Sequence, residues 1–431
     1  MIGASVVSRF HGLAMGAILV GTTLLPCPST SADEPATWIA RPETVRGYAT
    51  RTDVEVREDH VPSYTLPEVL GEIDRQAPKD EQQQAWNDRR ETLLDVFRNN
   101  AYGQAVPAPT KLEVETIEVA PLASVPGGVR ERRRVTATLE GGEFDFEYVL
   151  YAKQSQQSPL FVMINNRDPE LSSPEGEEFI GFLPVPEILK AGCAVAVFHH
   201  SHVAPDNPEH FREGVLSVVL PEGPRAADAP GAITAWSWGA SRVLDSLSDH
   251  PLVDAERAAI IGHSRGGKTA LWTGACDPRF SLVISNNSGC MGAALSRRAY
   301  GETVNIISRT FDYWFCPQLQ EYGDRVAELP IDQHQLIALC APRNVYVASA
   351  GDDLWADPRG EWLGLVNASP AFELIGSESL DTSDTMPVLG QPVTRGCTSY
   401  HIRPGRHNLT LWDWQQYLRV ARDIWKIGET P

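Results

Sequence analysis

Gly262-His263-Ser264-Arg265-Gly266 places a serine between small residues, directly after the apolar run Ala258–Ile261 and ahead of the helix-like Lys268-Thr-Ala-Leu-Trp-Thr. A strand-to-helix turn of this kind is so tight that both flanks must be small, and it lifts the serine hydroxyl into a cleft. The helix amino terminus beneath it favours developing negative charge. A chance Gly-x-Ser-x-Gly in a glycine-rich turn is the bland alternative, and the strand and helix on either side weigh against it. Ser264 is the expected nucleophile.

A serine hydroxyl needs a base, and the chain order for this turn is serine, acid, histidine. His334, His401 and His407 lie downstream. His407 occupies a polar loop, Arg406-His-Asn-Leu-Thr410, before the apolar carboxyl-terminal helix, and is the expected base. His334 starts a helical stretch and is expected to order it. His401 stands six residues before His407 and stays open as the alternative. The acid should follow a late strand. Asn344–Ala350 reads as that strand, and both Asp352 and Asp353 follow it, either to orient the imidazole or to cap the next turn and pair with Arg359. The cluster His199-His200-Ser201-His202 has no carboxylate or cysteine at metal-ligand spacing. It is read as a cleft rim, so neither metal nor cofactor is expected.

These residues need a rigid frame. Short, wholly apolar runs at Leu160–Ile164, Cys193–Phe198, Ala258–Ile261, Leu282–Ile284 and Val345–Ala348 alternate with helical stretches such as Gly231–Leu247. That pattern predicts an α/β fold: an α/β-hydrolase with a mostly parallel sheet in a three-layer αβα sandwich. Lys111–Tyr151 alternates apolar and polar residues and reads as an antiparallel N-terminal β extension. Glu81–Asn99 sets Trp86, Leu93, Leu94 and Phe97 near one helical face. Residues 33–100 are taken as a surface segment plus helix, and residues 101–431 as the catalytic domain, one structural unit with it.

Composition narrows the partners. The 431 residues carry a formal net charge of −19, with 42% hydrophobic and 22% charged side chains. That hydrophobic share excludes general disorder, and the acidic balance argues against nucleic acid and anionic membrane surfaces. Met1–Ala32 carries a single charged side chain, Arg9, then an apolar run from Gly12 to Leu25, then a Pro- and Ser-rich end at Thr30-Ser31-Ala32. The run is about fourteen residues, short of a membrane span. It predicts a cleaved leader ending at Ala32, and a secreted or periplasmic protein without integral membrane association. Cys27 as a lipid acceptor is the weaker reading, because Pro26 precedes it. The other six cysteines form no Cys-x-x-Cys pair and are expected to be buried rather than bridged. A monomer is expected.

Gly262-His-Ser-Arg-Gly-Gly-Lys268 resembles the Gly-Cys-Ser-Arg-x-Gly-Lys elbow of the glucuronoyl esterases, carbohydrate esterase family 15. The resemblance extends from about Tyr64 to Trp414 and includes Tyr313-Trp-Phe, Leu329-Pro-Ile-Asp-Gln-His-Gln-Leu, Ala341-Pro-Arg and Asp353-Leu-Trp-Ala-Asp-Pro. It implies an esterase acting, without metal, on esters between the 4-O-methyl-glucuronate of xylan and lignin alcohols. By the same resemblance Arg265 would face the oxyanion, Lys268 would bind sugar hydroxyls, Trp355 would pack on the sugar ring, and Glu302 and Gln318 would be further sugar contacts. Two positions depart from the family pattern. His263 replaces the usual cysteine, a change read as one of packing. Asn287, in Ser285-Asn-Asn-Ser-Gly, stands where many members carry the triad glutamate, and an amide cannot stabilise an imidazolium. The expected triad is therefore Ser264, His407 and Asp353, with Asp352 as the other candidate for the acid. An acetylxylan or general carboxylesterase is the second reading, for which Lys268 would be wasted. A catalytically impaired carbohydrate-binding homologue is the third, suggested by Asn287 and opposed by the joint presence of the three triad residues.

Overall fold

The computed structural model describes residues 37–48, 53–155, 157–167, 181–378, 380 and 385–428, and the expected leader lies outside them. From Thr37 onward the chain forms one compact unit. Helix α1 (Lys79–Phe97) buries Trp86, Leu93, Leu94 and Phe97, the face set by their spacing. Strands β1 (Lys111–Pro121), β2 (Gly128–Leu139) and β3 (Gly142–Lys153) follow as an antiparallel ladder.

Strand β4 (Ser158–Asn165) is buried along its whole length. After it come α2 (Val185–Lys190), β5 (Ala194–His199), α3 (Ala232–Asp245), β6 (Val253–His263), α4 (Arg265–Cys276) and β7 (Phe280–Asn286). The chain closes with α5 (Val304–Thr310), α6 (Gln333–Ala338), β8 (Asn344–Ala350), α7 (Pro358–Leu374), β9 (Val393–Arg395), β10 (Thr398–Arg403) and α8 (Leu411–Trp425). One ten-stranded sheet runs β1-β2-β3-β5-β4-β6-β7-β8-β10-β9. It is parallel from β5 to β10 and antiparallel at both margins.

Two cores sandwich the sheet because side chains alternate across a strand. On β4 and β6, Leu160, Val162, Ile164, Ala258 and Ile260 join α1, α3, α4, α6 and α7 on one face. Their neighbours Phe161, Met163, Ala259 and Ile261 join α2 and α8 on the other. Each fully buried large apolar side chain contributes about 1.5–3 kcal/mol, so this double burial holds the strand ends rigidly. The expected α/β-hydrolase architecture is the one observed.

Strand β10 escaped the sequence reading. Its residues, Thr-Ser-Tyr-His-Ile-Arg, show no apolar run and only a short alternation through Tyr400 and Ile402, yet all six are buried. They tolerate burial because His401 and Arg403 both bond the buried Asp413 carboxylate. Cys193, Cys276, Cys290, Cys316, Cys340 and Cys397 are all free thiols; Cys276 is exposed and Cys397 half-buried.

Candidate active site

The carboxyl ends of four neighbouring strands deliver the expected chemistry. Ser264 follows β6, Asn287 follows β7, Asp353 lies just beyond β8, and His407 lies in the loop after β10. This is where open parallel sheets place their ligands. Ser264 sits at φ 59°, ψ −125°, an arrangement that costs about 1–3 kcal/mol for a residue with a side chain. Gly262 makes the turn possible, since a Cβ there would stand 2.1 Å from the Gly266 carbonyl oxygen. The Ser264 N–H donates to the Asn286 carbonyl at 2.9 Å, which ties the elbow to β7.

His407 Nδ1 donates to Asp353 Oδ2 at 2.6 Å. With its hydrogen committed there, the neutral ring keeps Nε2 as a lone-pair acceptor. Asp353 is buried, whereas Asp352 is exposed. The loop carrying His407 is clamped by Arg403, whose guanidinium donates to the carbonyls of Arg406 (3.0 Å) and Asn408 (2.6 Å) on either side of it. Asp413 anchors that guanidinium, caps α8 through Thr410, and accepts from His401 Nε2 at 2.8 Å. His401 thus belongs to the scaffold of the loop. His334 is likewise structural, bonding the Pro67 carbonyl at 2.8 Å.

Ser264, His407 and Asp353 line one cavity of about 360 Å³ together with Arg265, Lys268, Asn287, Glu302 and Trp355. Tyr48, Phe311 and Trp314 complete its aromatic wall. The Arg265 guanidinium lies 5.1 Å from the Trp314 ring centre and pairs with Asp206. Asp206 also accepts from the Tyr313 hydroxyl (2.7 Å), Trp314 Nε1 (2.7 Å) and His200 Nε2 (3.1 Å). Burial alone would raise its carboxyl; the His200 bond and the Arg265 charge outweigh that and hold it well below the ordinary carboxylate range. Arg265 Nε–H is buried and has no acceptor among the described residues.

A family model described as "Glucuronyl esterase, fungi" matches residues 136–376. The carbohydrate esterase MZ0003, from an unknown prokaryotic organism, is 32% identical over 418 residues, covering 89% of this chain and 94% of that protein. The chain belongs to the glucuronoyl esterase family. A solved glucuronoyl esterase from Solibacter usitatus is 34% identical at a TM-score of 0.76, covering 85% of this chain and all of that one. The 4-O-methyl-glucuronoyl methylesterase 1 of Phanerochaete chrysosporium is 33% identical over 207 residues, 46% of this chain, and the chain spans less than half of that relative's length. This glucuronoyl esterase is of the bacterial type in carbohydrate esterase family 15, and it is a carboxylic ester hydrolase.

Three expectations change on meeting the structure of this esterase. Lys268 is not a free sugar donor: its ammonium donates to the Ser288 carbonyl (2.6 Å), the Cys290 carbonyl (2.6 Å) and Glu302 Oε2 (3.0 Å), using all three hydrogens. It therefore holds the 288–290 loop and Glu302 in place. Gln318 is absent from the cavity lining, because its turn bonds back to the Ala227 carbonyl at 2.8 Å. Of the histidine cluster read as a cleft rim, His200 is instead buried, facing Asp206.

Asn287 sits at φ 47° and turns its side chain onto Asp353, with Nδ2 donating to Oδ2 at 2.9 Å. Sequence reasoning missed Asp206, Phe311 and Trp314, and it gave Tyr48 no role. Tyr48 comes from a polar segment without periodicity, yet its hydroxyl accepts from the Trp355 N–H at 3.1 Å. Trp314 lies within the quoted Tyr313-Trp-Phe and was the one readable signal among them.

Proposed function

We propose that this chain is a secreted serine esterase that hydrolyses 4-O-methyl-glucuronoyl esters, as in the links between glucuronoxylan and lignin, through Ser264, His407 and Asp353. The observation carrying the reading is the 2.6 Å bond from His407 Nδ1 to the buried Asp353, in the cavity that Ser264 lines. His407 Nε2 takes the Ser264 proton as Oγ bonds to the ester carbonyl carbon. The carbonyl oxygen becomes an oxyanion, met by the free N–H groups at the start of α4 and by Arg265. His407 then returns the proton to the departing alkoxide, releasing the alcohol and leaving an acyl-enzyme. Water attacks next, giving a proton to His407, which passes it to Ser264 Oγ as the Oγ–acyl bond breaks and the uronic acid leaves. Asp353 stays ionised and holds the imidazole in its working tautomer. Trp355 and Glu302 face the sugar. Removal of the leader after Ala32 places the enzyme outside the cytoplasm.

The committed hydrogens of Lys268 favour a second reading, a general carboxylesterase, because that lysine no longer singles out a uronate. Comparing kcat/KM on benzyl glucuronate and p-nitrophenyl acetate separates the two. A preference of a hundredfold or more for the glucuronate is expected. Preference for acetate would transfer the protein to the second reading, and inertness on both would leave the impaired homologue.

A further inference from the structure

His263 departs from the family elbow, and the reaction as proposed gives it no task. It is nonetheless the buried side chain packed directly on the general base. Its ring is 1% exposed, and its centre lies 4.4 Å from that of His407 at an interplanar angle of 47°. On another side the edge of Phe182 closes it in at 6.0 Å.

Its protonation is fixed from below. Asn286 donates through Nδ2 to the Tyr417 hydroxyl at 2.8 Å, so its amide oxygen is the atom facing His263 Nδ1 at 2.7 Å. Nδ1 therefore carries the hydrogen, and Nε2 has no partner among the described residues. Burial, then the adjacent His407, then Arg167 and Arg403 all oppose a charge on this ring and hold it well below the usual imidazole range. The His263 ring is thus driven toward its neutral form and lies tilted against His407.

We propose that His263 is a positioning residue that holds its neutral ring against His407 and stabilises that ring in the cationic form created when Ser264 gives up its proton. The proposal rests on reading His407 as the general base. Asp353 fixes one nitrogen of His407, which still leaves the ring free to swing about that bond, and the His407 side chain is 38% exposed. A wall on one face removes the swing. The two rings meet at 4.4 Å with a 47° tilt, and the π electrons of a neutral aromatic ring attract a cation within about 6 Å. Among the described residues, the other charged groups around the pair are Asp353 from the β8 end, Arg265 from the elbow, Arg167 after β4, and Arg403 on β10. Of these Asp353 alone carries the sign that favours a charged His407, and the contribution of His263 adds to that ion pair.

Replacing His263 tests this. His263→Leu removes the aromatic face and is expected to lower kcat about three- to tenfold with KM within about twofold. The pH of half-maximal kcat on the acid side is expected to move down by about half a unit, because the charged ring becomes harder to form. His263→Phe restores an aromatic face and should keep both quantities within about twofold of wild type. If leucine does not fold, His263→Cys, the residue usual in the family elbow, makes the same comparison. A pure packing role would lower kcat without moving the acid limb and would leave phenylalanine no better than leucine; that result overturns the proposal. NMR titration of the His407 ring in wild type and the leucine variant reads the same shift without turnover. An unmoved midpoint overturns the inference. A moved midpoint in an enzyme inert on both esters upholds it while sinking the functional reading.

Discussion

Asn287 Nδ2 and His407 Nδ1 donate to the same oxygen, Asp353 Oδ2, at 2.9 and 2.6 Å. The residue standing where the family glutamate is usual thus bonds the carboxylate proposed to take its place. An amide, unlike a second carboxylate, adds a hydrogen bond to Asp353 without adding a like charge.

Asp353→Asn is expected to reduce kcat by about 10³–10⁴, since an amide at that site can neither hold the working tautomer nor stabilise imidazolium. Asp352→Asn should stay within about twofold. Steady-state kinetics on benzyl glucuronate decide it, and equal losses at the two positions would refute the assignment of the acid.

Asn287→Gly keeps the positive φ accessible and removes only the donor to Asp353. A hydrogen bond to a charged group is worth about 1.5–3 kcal/mol, and part of that orients Asp353, so kcat should fall about tenfold at unchanged KM. Full activity in this variant would mean that Asp353 is held without Asn287.

Asp206→Asn should cost about ten- to a hundredfold in kcat, because the Arg265 guanidinium, proposed to meet the oxyanion, loses its ion-pair anchor. A double-mutant cycle with Arg265→Met separates anchoring from packing. Strong coupling is expected, and simple additivity would show that Asp206 only supports Trp314 and Tyr313.

Glu361 gives a pH signature in stability. Buried beneath the site, it accepts from the Ser288 and Gly289 N–H groups (2.7 and 3.0 Å) and from the Ser349 hydroxyl (2.6 Å). Burial outweighs those bonds and pushes its carboxyl up to about 8 from 4.5. An acid raised on folding binds more protons folded than unfolded between those two values. Its contribution to stability therefore declines as pH rises from about 5 to 8 and levels off above. The decline amounts to at most about 5 kcal/mol. Glu361→Gln keeps an oxygen for the two N–H groups and should flatten the fall in Tm over that window. Parallel Tm curves for the two proteins would rule this out.

Local sequence was enough for the parts whose physics is local. The elbow at Ser264 needs a glycine where a Cβ would strike the next turn's carbonyl, and the apolar strands are unbroken because both faces of the sheet are covered. The chain order of Ser264, Asp353 and His407 follows from the order of β6, β8 and β10, after which they lie. None of this requires knowing which side chains meet across the fold.

Partnerships between distant residues were decided only by tertiary structure. Asp352 and Asp353 are adjacent and chemically alike; their difference arises because one points into the protein, toward His407, and its neighbour into solvent. Lys268 reads as an open donor until the 288–290 carbonyls and Glu302 close around it. Asp206 lies 59 residues before Arg265, and nothing near it in the chain announces the pair. His263 reads as a packing substitution until its ring is found on His407, 144 residues later in the sequence. Hydrogen bonds and ring contacts act over a few ångströms, so they are settled by which strand ends the sheet makes neighbours.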